Sequence, residues 1–204
     1  WKDKYIVNLT GRRDGSSRFG PGKQFANFGA VGAAWLFSEE KAVAERAKFL
    51  SFGKLRASYG ITGNDQIGDY QYLDTYQSST GVYDGTVGLA PIRLFNPNFS
   101  WESNRKIEAA VELGFFKDRI FFTGSYYRNR SSNQLIGMPL PATTGFTSLQ
   151  SNLAATVQNT GLELTLRTIN VQGDFFGWTT NFNLTLPKNK LIAFPGLATS
   201  TYRN

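Results

Sequence analysis

"RKIEAAVELGFFKDRIFFTGSYYRNR", residues 105–130, decides the fold. Ile107, Ala109, Val111, Leu113 and Phe115 fall on one side of a two-residue period, and Lys106, Glu108, Ala110, Glu112 and Gly114 on the other. That is the period of a strand and not of a helix. "FKDR", 116–119, reads as a tight turn into a second strand, along which Ile120, Phe122, Gly124 and Tyr126 share a side. Two glutamates opposite an apolar row need water or partners, so this segment divides an apolar side from a wet one.

The same pattern extends in both directions. Tyr5, Val7 and Leu9 oppose Asn8, Thr10 and Arg12, with Ile6 as the exception. Val31, Ala33, Trp35 and Phe37 oppose the small residues Ala30, Gly32 and Ala34, and Leu55, Ala57, Tyr59 and Ile61 oppose Arg56, Ser58, Gly60 and Thr62. Further on, Leu162, Leu164 and Leu166 oppose Glu163, Thr165 and Arg167, and Trp178, Phe182, Leu184 and Leu186 oppose Thr179, Asn181, Asn183 and Thr185. Two further strands are expected, a short one through Tyr70 to Tyr76 and one at "KLIAF", 190–194. Residues 38–50, "SEEKAVAERAKFL", predict the one helix, with Ser38 as its cap. Residues 63–104 and 131–155 read as long irregular excursions.

Composition excludes several function classes. With no Cys and no His, the 204 residues offer no disulfide, no thiol nucleophile, no His-based triad and none of the commonest zinc ligands. No metal, cofactor or enzymatic activity is expected. The 22 Lys and Arg against 15 Asp and Glu give a formal charge of +7, but they are scattered through "TGRR", "KLR", "FFKDR" and "YYRNR". Without a dense basic track, nucleic-acid binding is not expected. The start shows no leader-peptide pattern, so the chain reads as mature or as lacking its native N-terminus. The apolar runs are too short for a spanning helix.

Alternation alone fits either a sandwich or a barrel wall, and three features favour the wall. Long and short connections alternate, as outer-membrane barrels require. Trp35, Phe37, Phe115, Phe116, Phe121, Phe122, Phe175, Phe176 and Trp178 gather beside the connections that this order places at one rim, like an aromatic girdle. The strands are also longer than those of ordinary soluble sheets. The expectation is an all-β protein, an antiparallel transmembrane β-barrel wall, with a soluble carbohydrate-binding β-sandwich as the alternative.

Several stretches resemble the SusC/RagA-type TonB-dependent outer-membrane receptors of Bacteroidota: "RRDGSSRFG" at 12–20, "LSFGKLRASYGITGNDQIGDYQYL" at 50–73, "FNPNFSWES" at 95–103, "ELGFFKDRIFFTGSYY" at 112–127, "MPLPATTGFTSLQSN" at 138–152 and "VQNTGLELTLRT" at 157–168. The resemblance implies a barrel of about 22 strands around a plug. It further implies import of oligosaccharides, glycans or peptides with energy relayed by TonB, a SusD-like surface lipoprotein as lid, and residence in the outer membrane among its lipids. Residues 1–204 would be a partial barrel domain. The plug, the TonB-contacting segment and, since the chain ends in "ATSTYRN", the closing strands are expected to be missing.

Candidate contact residues follow from two polar runs. In 12–20, Arg12, Arg13, Asp14 and Arg18 sit where the first strand turns, and the arginines either hold the hairpin or touch cargo, lipid headgroups or the lid lipoprotein. In "GNDQIGDYQY", 63–72, Asn64, Asp65, Gln66, Asp69, Tyr70 and Tyr72 combine planar amides, acids and rings of the kind that grip sugars, or simply shape a loop. Arg56, Glu108, Glu112, Glu163 and Arg167 are expected to face the lumen, where their mixed signs suggest cross-strand pairs.

Overall fold

The computed structural model describes residues 1–200. The reading of the tail as lacking a closing strand falls on residues 201–204, outside those described. The strands are β1 (Tyr5–Gly15), β2 (Phe25–Trp35), β3 (Leu50–Asn64), β4 (Thr75–Tyr83), β5 (Thr86–Arg93), β6 (Glu102–Phe115), β7 (Ile120–Pro139), β8 (Ser148–Gln172) and β9 (Gly177–Ala193). A helix far shorter than the sequence suggests, α1 (Lys41–Arg46), follows a 3₁₀ turn at Phe37–Glu39. Its N-cap is Glu40, with no side-chain cap bond, and Ser38 plays no capping part.

Among the described residues seven strands form one antiparallel sheet in the order β1-β2-β3-β6-β7-β8-β9, while β4 and β5 pair only with each other. Among the described residues β1 bonds β2 alone and β9 bonds β8 alone, so the sheet they form has two edges and does not close. The transmembrane barrel wall expected from the sequence is therefore corrected to an open sheet. Alternation and loop-length asymmetry are satisfied by each neighbouring strand pair, and neither reports whether the first and last strands meet. No helix among the described residues is long and apolar enough to cross a membrane.

Two local expectations also change. In place of one strand through Tyr70 to Tyr76 there is the β4–β5 hairpin, turned at Asp84 and Gly85 with φ of 49° and 75°. Positive φ at both central residues is the geometry that Asp-Gly favours in tight hairpins. The expected irregular stretch 131–155 is mostly ladder, since β7 and β8 pair as far as Pro139 and Ser148. A register shift between Ser132 and Gln134, with Asn133 at φ 60°, interrupts the alternation there. The turn at Phe116, Lys117 and Asp118, all at positive φ, stands where the sequence places it.

The register puts each face together. Leu9 pairs with Val31, Val31 with Tyr59, Tyr59 with Ile107, and Leu164 with both Gly124 and Leu184, making one continuous apolar face. Arg56, Glu108, Glu112, Glu163 and Arg167 all lie on the other face. The apolar face is uncovered: Val7 is 66 % exposed, Leu9 78 % and Leu186 54 %. The packed core lies instead at the long-loop end, where Phe19 and Phe99 are fully buried. They meet edge to face at 5.7 Å, Trp101 stands 5.3 Å from Phe19, and Phe28 stands 5.5 Å from Trp101.

Candidate functional site

The long-loop end unites the two polar runs. Arg18 stands in the β1–β2 connection, anchored by its buried neighbour Phe19. Its Nε lies 3.0 Å from Asp69 Oδ1, and its Nη1 donates to the Asp65 carbonyl at 2.9 Å and lies 3.4 Å from Asp65 Oδ2. The planar guanidinium thus ties both acids of the 63–72 segment to the first hairpin. Tyr72 packs its ring against Gly20, where a Cβ would sit 3.0 Å from the ring. Asn64 Oδ1 accepts from the Gln66 backbone N–H at 3.0 Å, an Asx turn, and Asn64 Nδ2 donates to Glu102. Tyr70, at φ 52°, is 53 % exposed, and its carbonyl accepts from Arg93 Nη1 at 3.2 Å.

Arg12 and Arg13 do not join this cluster. Arg12 Nε pairs with Asp14 Oδ2 at 3.1 Å and its guanidinium lies over Phe28, while Arg13 lies over Phe25. Consecutive strand residues point to opposite faces, which keeps the two apart.

Sequence reasoning missed an asparagine clamp beside the cluster. Asn152 Nδ2 donates to the carbonyls of Ser100 and Asn133, and its Oδ1 accepts the Ser100 N–H at 2.9 Å. Asn133 Nδ2 donates to Ser100 Oγ and the Trp101 carbonyl, and Asn96 Nδ2 donates to the Gln150 carbonyl. Together they hold "FNPNFSW" over the ends of β7 and β8. Asparagines amid strand residues were the available signal, because a side-chain amide can replace the ladder where a bulge breaks it.

On the polar face, Arg56 on β3 donates through Nε to Glu112 Oε1 at 2.9 Å and through Nη1 to Glu108 Oε1 at 2.5 Å. Lys54 Nζ adds a contact to Glu112 Oε2 at 3.6 Å. Farther across, Ser125 Oγ lies 3.5 Å from Glu163 Oε2. Between them is a concavity of about 610 Å³ whose lining includes Ser58, Lys106, Glu108, Tyr127, Asn129, Asn159 and Glu163. No group of acidic side chains among the described residues is arranged to hold a metal.

The opposite end carries the rings that the sequence placed at one rim, at the ends of β2 and β6 and the starts of β7 and β9. There Tyr5 stacks on Trp35 at 6.4 Å, and Glu40 accepts from the Tyr5 hydroxyl at 2.9 Å, from Trp35 Nε1 at 3.3 Å and from Lys4 Nζ at 3.3 Å. The Tyr5 bond, then the Trp35 bond, hold the Glu40 carboxyl below the ordinary glutamate range.

The family model "TonB dependent receptor-like, beta-barrel" matches residues 1–202. TonB-dependent receptor P39 of Formosa agariphila is 34 % identical over 94 % of this chain and 18 % of its own length. TonB-dependent receptor SusC of Bacteroides thetaiotaomicron is 27 % identical over 98 % of this chain and 20 % of its own length. Among solved structures, the RagAB peptide transporter matches with a TM-score of 0.86 at 27 % identity, over 95 % of this chain and 21 % of that one. The chain therefore spans about one-fifth of the length of the curated relatives it matches. The homology is thus to a transporter family, the TonB-dependent receptors, and not to an enzyme family. The chain belongs to the TonB-dependent receptor-like, β-barrel family, related at family level to its SusC/RagA-type members.

Proposed function

We propose that the chain serves active import at the outer membrane, as one portion of a SusC-like, TonB-dependent importer of oligosaccharides, glycans or peptides. The observation that carries this reading is the two-sidedness of the sheet within a chain matched almost end to end by the family. Each large apolar side chain left in water forgoes about 1.5–3 kcal/mol of burial. A whole face of them calls for an apolar neighbour, for which outer-membrane lipid is the proposed one. The polar face, with its Arg56, Glu108 and Glu112 network, is the side offered to a hydrated passage, and the Arg18 loop cluster is the side offered to a SusD-like lipoprotein and to arriving cargo. TonB would act through segments outside this chain. The similarity to the RagAB peptide transporter supports peptide as one cargo class.

The open sheet supports a second reading, a soluble carbohydrate-binding module that presents its polar face to a glycan without any closure. Uptake by cells expressing the complete receptor, with and without its gene, tests the first reading against labelled oligosaccharides and peptides. Detergent dependence separates the two. Aggregation without detergent, with gene-dependent uptake, is expected for the importer. A monodisperse protein in plain buffer that binds glycan, with no uptake phenotype, overturns it in favour of the module.

A further inference from the structure

Tyr127 on β7 pairs with Gly161 on β8, and its ring lies across that glycine: a Cβ at 161 would sit 2.6 Å from the ring. Gly161 is buried beneath it. One face of the ring is thus fixed on the backbone, and the ring forms part of the wall of the 610 Å³ concavity. That volume lies within the range of small-ligand sites, about 300–1,000 Å³. Asn129 and Asn159, directly paired across β7 and β8, offer planar amides on the same face. Glu108 spends one carboxylate oxygen on Arg56, whereas Glu163 contacts Ser125 alone and forms no ion pair among the described residues. A carboxylate so placed accepts hydrogen bonds and cannot donate them.

A held aromatic platform, paired amides and an uncompensated acceptor suit a ligand that is apolar on one flat side and edged with hydroxyl donors and acceptors. We infer that the Tyr127 concavity is a sugar-ring subsite, the pyranose stacking on Tyr127 with its hydroxyls shared among Asn129, Asn159, Glu108 and Glu163. This rests on the import reading and deepens it by assigning a neutral saccharide to this part of the polar face. The platform is fixed before binding, so little ordering is needed at the moment of contact.

The test uses the complete receptor in detergent, with fluorescence anisotropy of labelled short neutral gluco- and manno-oligosaccharides and of a labelled neutral peptide of similar size. Tyr127→Leu and Asn159→Ala are each expected to weaken oligosaccharide binding about tenfold or more, and Tyr127→Phe, which keeps the platform, to stay near the parent. If Tyr127→Leu lowers the yield of receptor, Asn159→Ala decides, since its side chain lies outside the Tyr127 and Gly161 packing. Oligosaccharide affinity unchanged in both variants overturns the subsite while leaving import intact, as does binding of the peptide with no oligosaccharide bound. Neither probe bound, with no gene-dependent uptake, overturns the import reading as well.

Discussion

Arg18 and Asp69, fifty-one residues apart in sequence, are joined by a charge-assisted hydrogen bond of 3.0 Å from Nε to Oδ1. With the bonds to Asp65, it fastens the segment leading into the β4–β5 hairpin to the end of the main sheet. Asp69 is largely exposed, so its share is of the surface kind, about 0.2–1 kcal/mol. Arg18→Ala is expected to raise amide exchange across residues 63–74 by about threefold to tenfold, with β6 and β7 unchanged. Exchange in 63–74 equal to the parent contradicts the fastening role.

Glu40 gives a pH signature at the other rim. Its folded-state pKa lies below the ordinary value, so the stabilisation is present above the unfolded-state pKa and is lost as pH falls through the folded one. Because Trp35 donates to this carboxyl, its fluorescence follows the titration. The midpoint is expected below the ordinary glutamate value of about 4.3, and Glu40→Gln is expected to abolish the transition. A midpoint at or above that value contradicts the hydrogen-bonded account.

Rings lying on strand glycines make a packing prediction. The Phe28 ring occupies the space that a Cβ at Gly63 would take, and Phe28 is nearly buried against Trp101. Gly63→Ala is expected to destabilise by about 1–3 kcal/mol through overpacking, read as a lowered melting temperature. Phe28→Ala is costly by itself, but the pair is expected to be non-additive, since removing the ring removes the clash. Additive losses contradict direct contact between the two sites.

Much of the wall was legible because residues such as Ile107, Val111, Leu164 and Leu184 alternate with polar ones over long uninterrupted runs. The β4–β5 hairpin was signalled by Asp84-Gly85 and by Val87 and Leu89 alternating with Thr86 and Gly88, but β4 approaches the turn through the small and polar run Gln77 to Gly81, which marks no period. The pairing beyond Ser132 was hidden by the bulge opposite Asn133, where β8 carries one extra residue at Ala154 and Ala155 and the register shifts by one. Whether the sheet closes depends on what β1 and β9 meet, and no internal pattern encodes that. At the site, Arg18, Asp65 and Asp69 were each legible as candidates. Their union was not, because it depends on the β1–β2 connection and the 63–72 segment emerging at the same end of the sheet.

The central claim is that the two faces of one sheet meet different surroundings, and Leu164 and Thr165 test it as adjacent residues of β8 on opposite faces. The measurement is the outer-membrane yield of complete receptor carrying Leu164→Arg or Thr165→Arg, the same side chain added one position apart. The Leu164 variant is expected to assemble poorly, since it sets an unpaired cation in the continuous apolar row, where burial against any apolar neighbour is costly, and the Thr165 variant to assemble close to the parent level. Equal yields, or the reverse order, contradict the account.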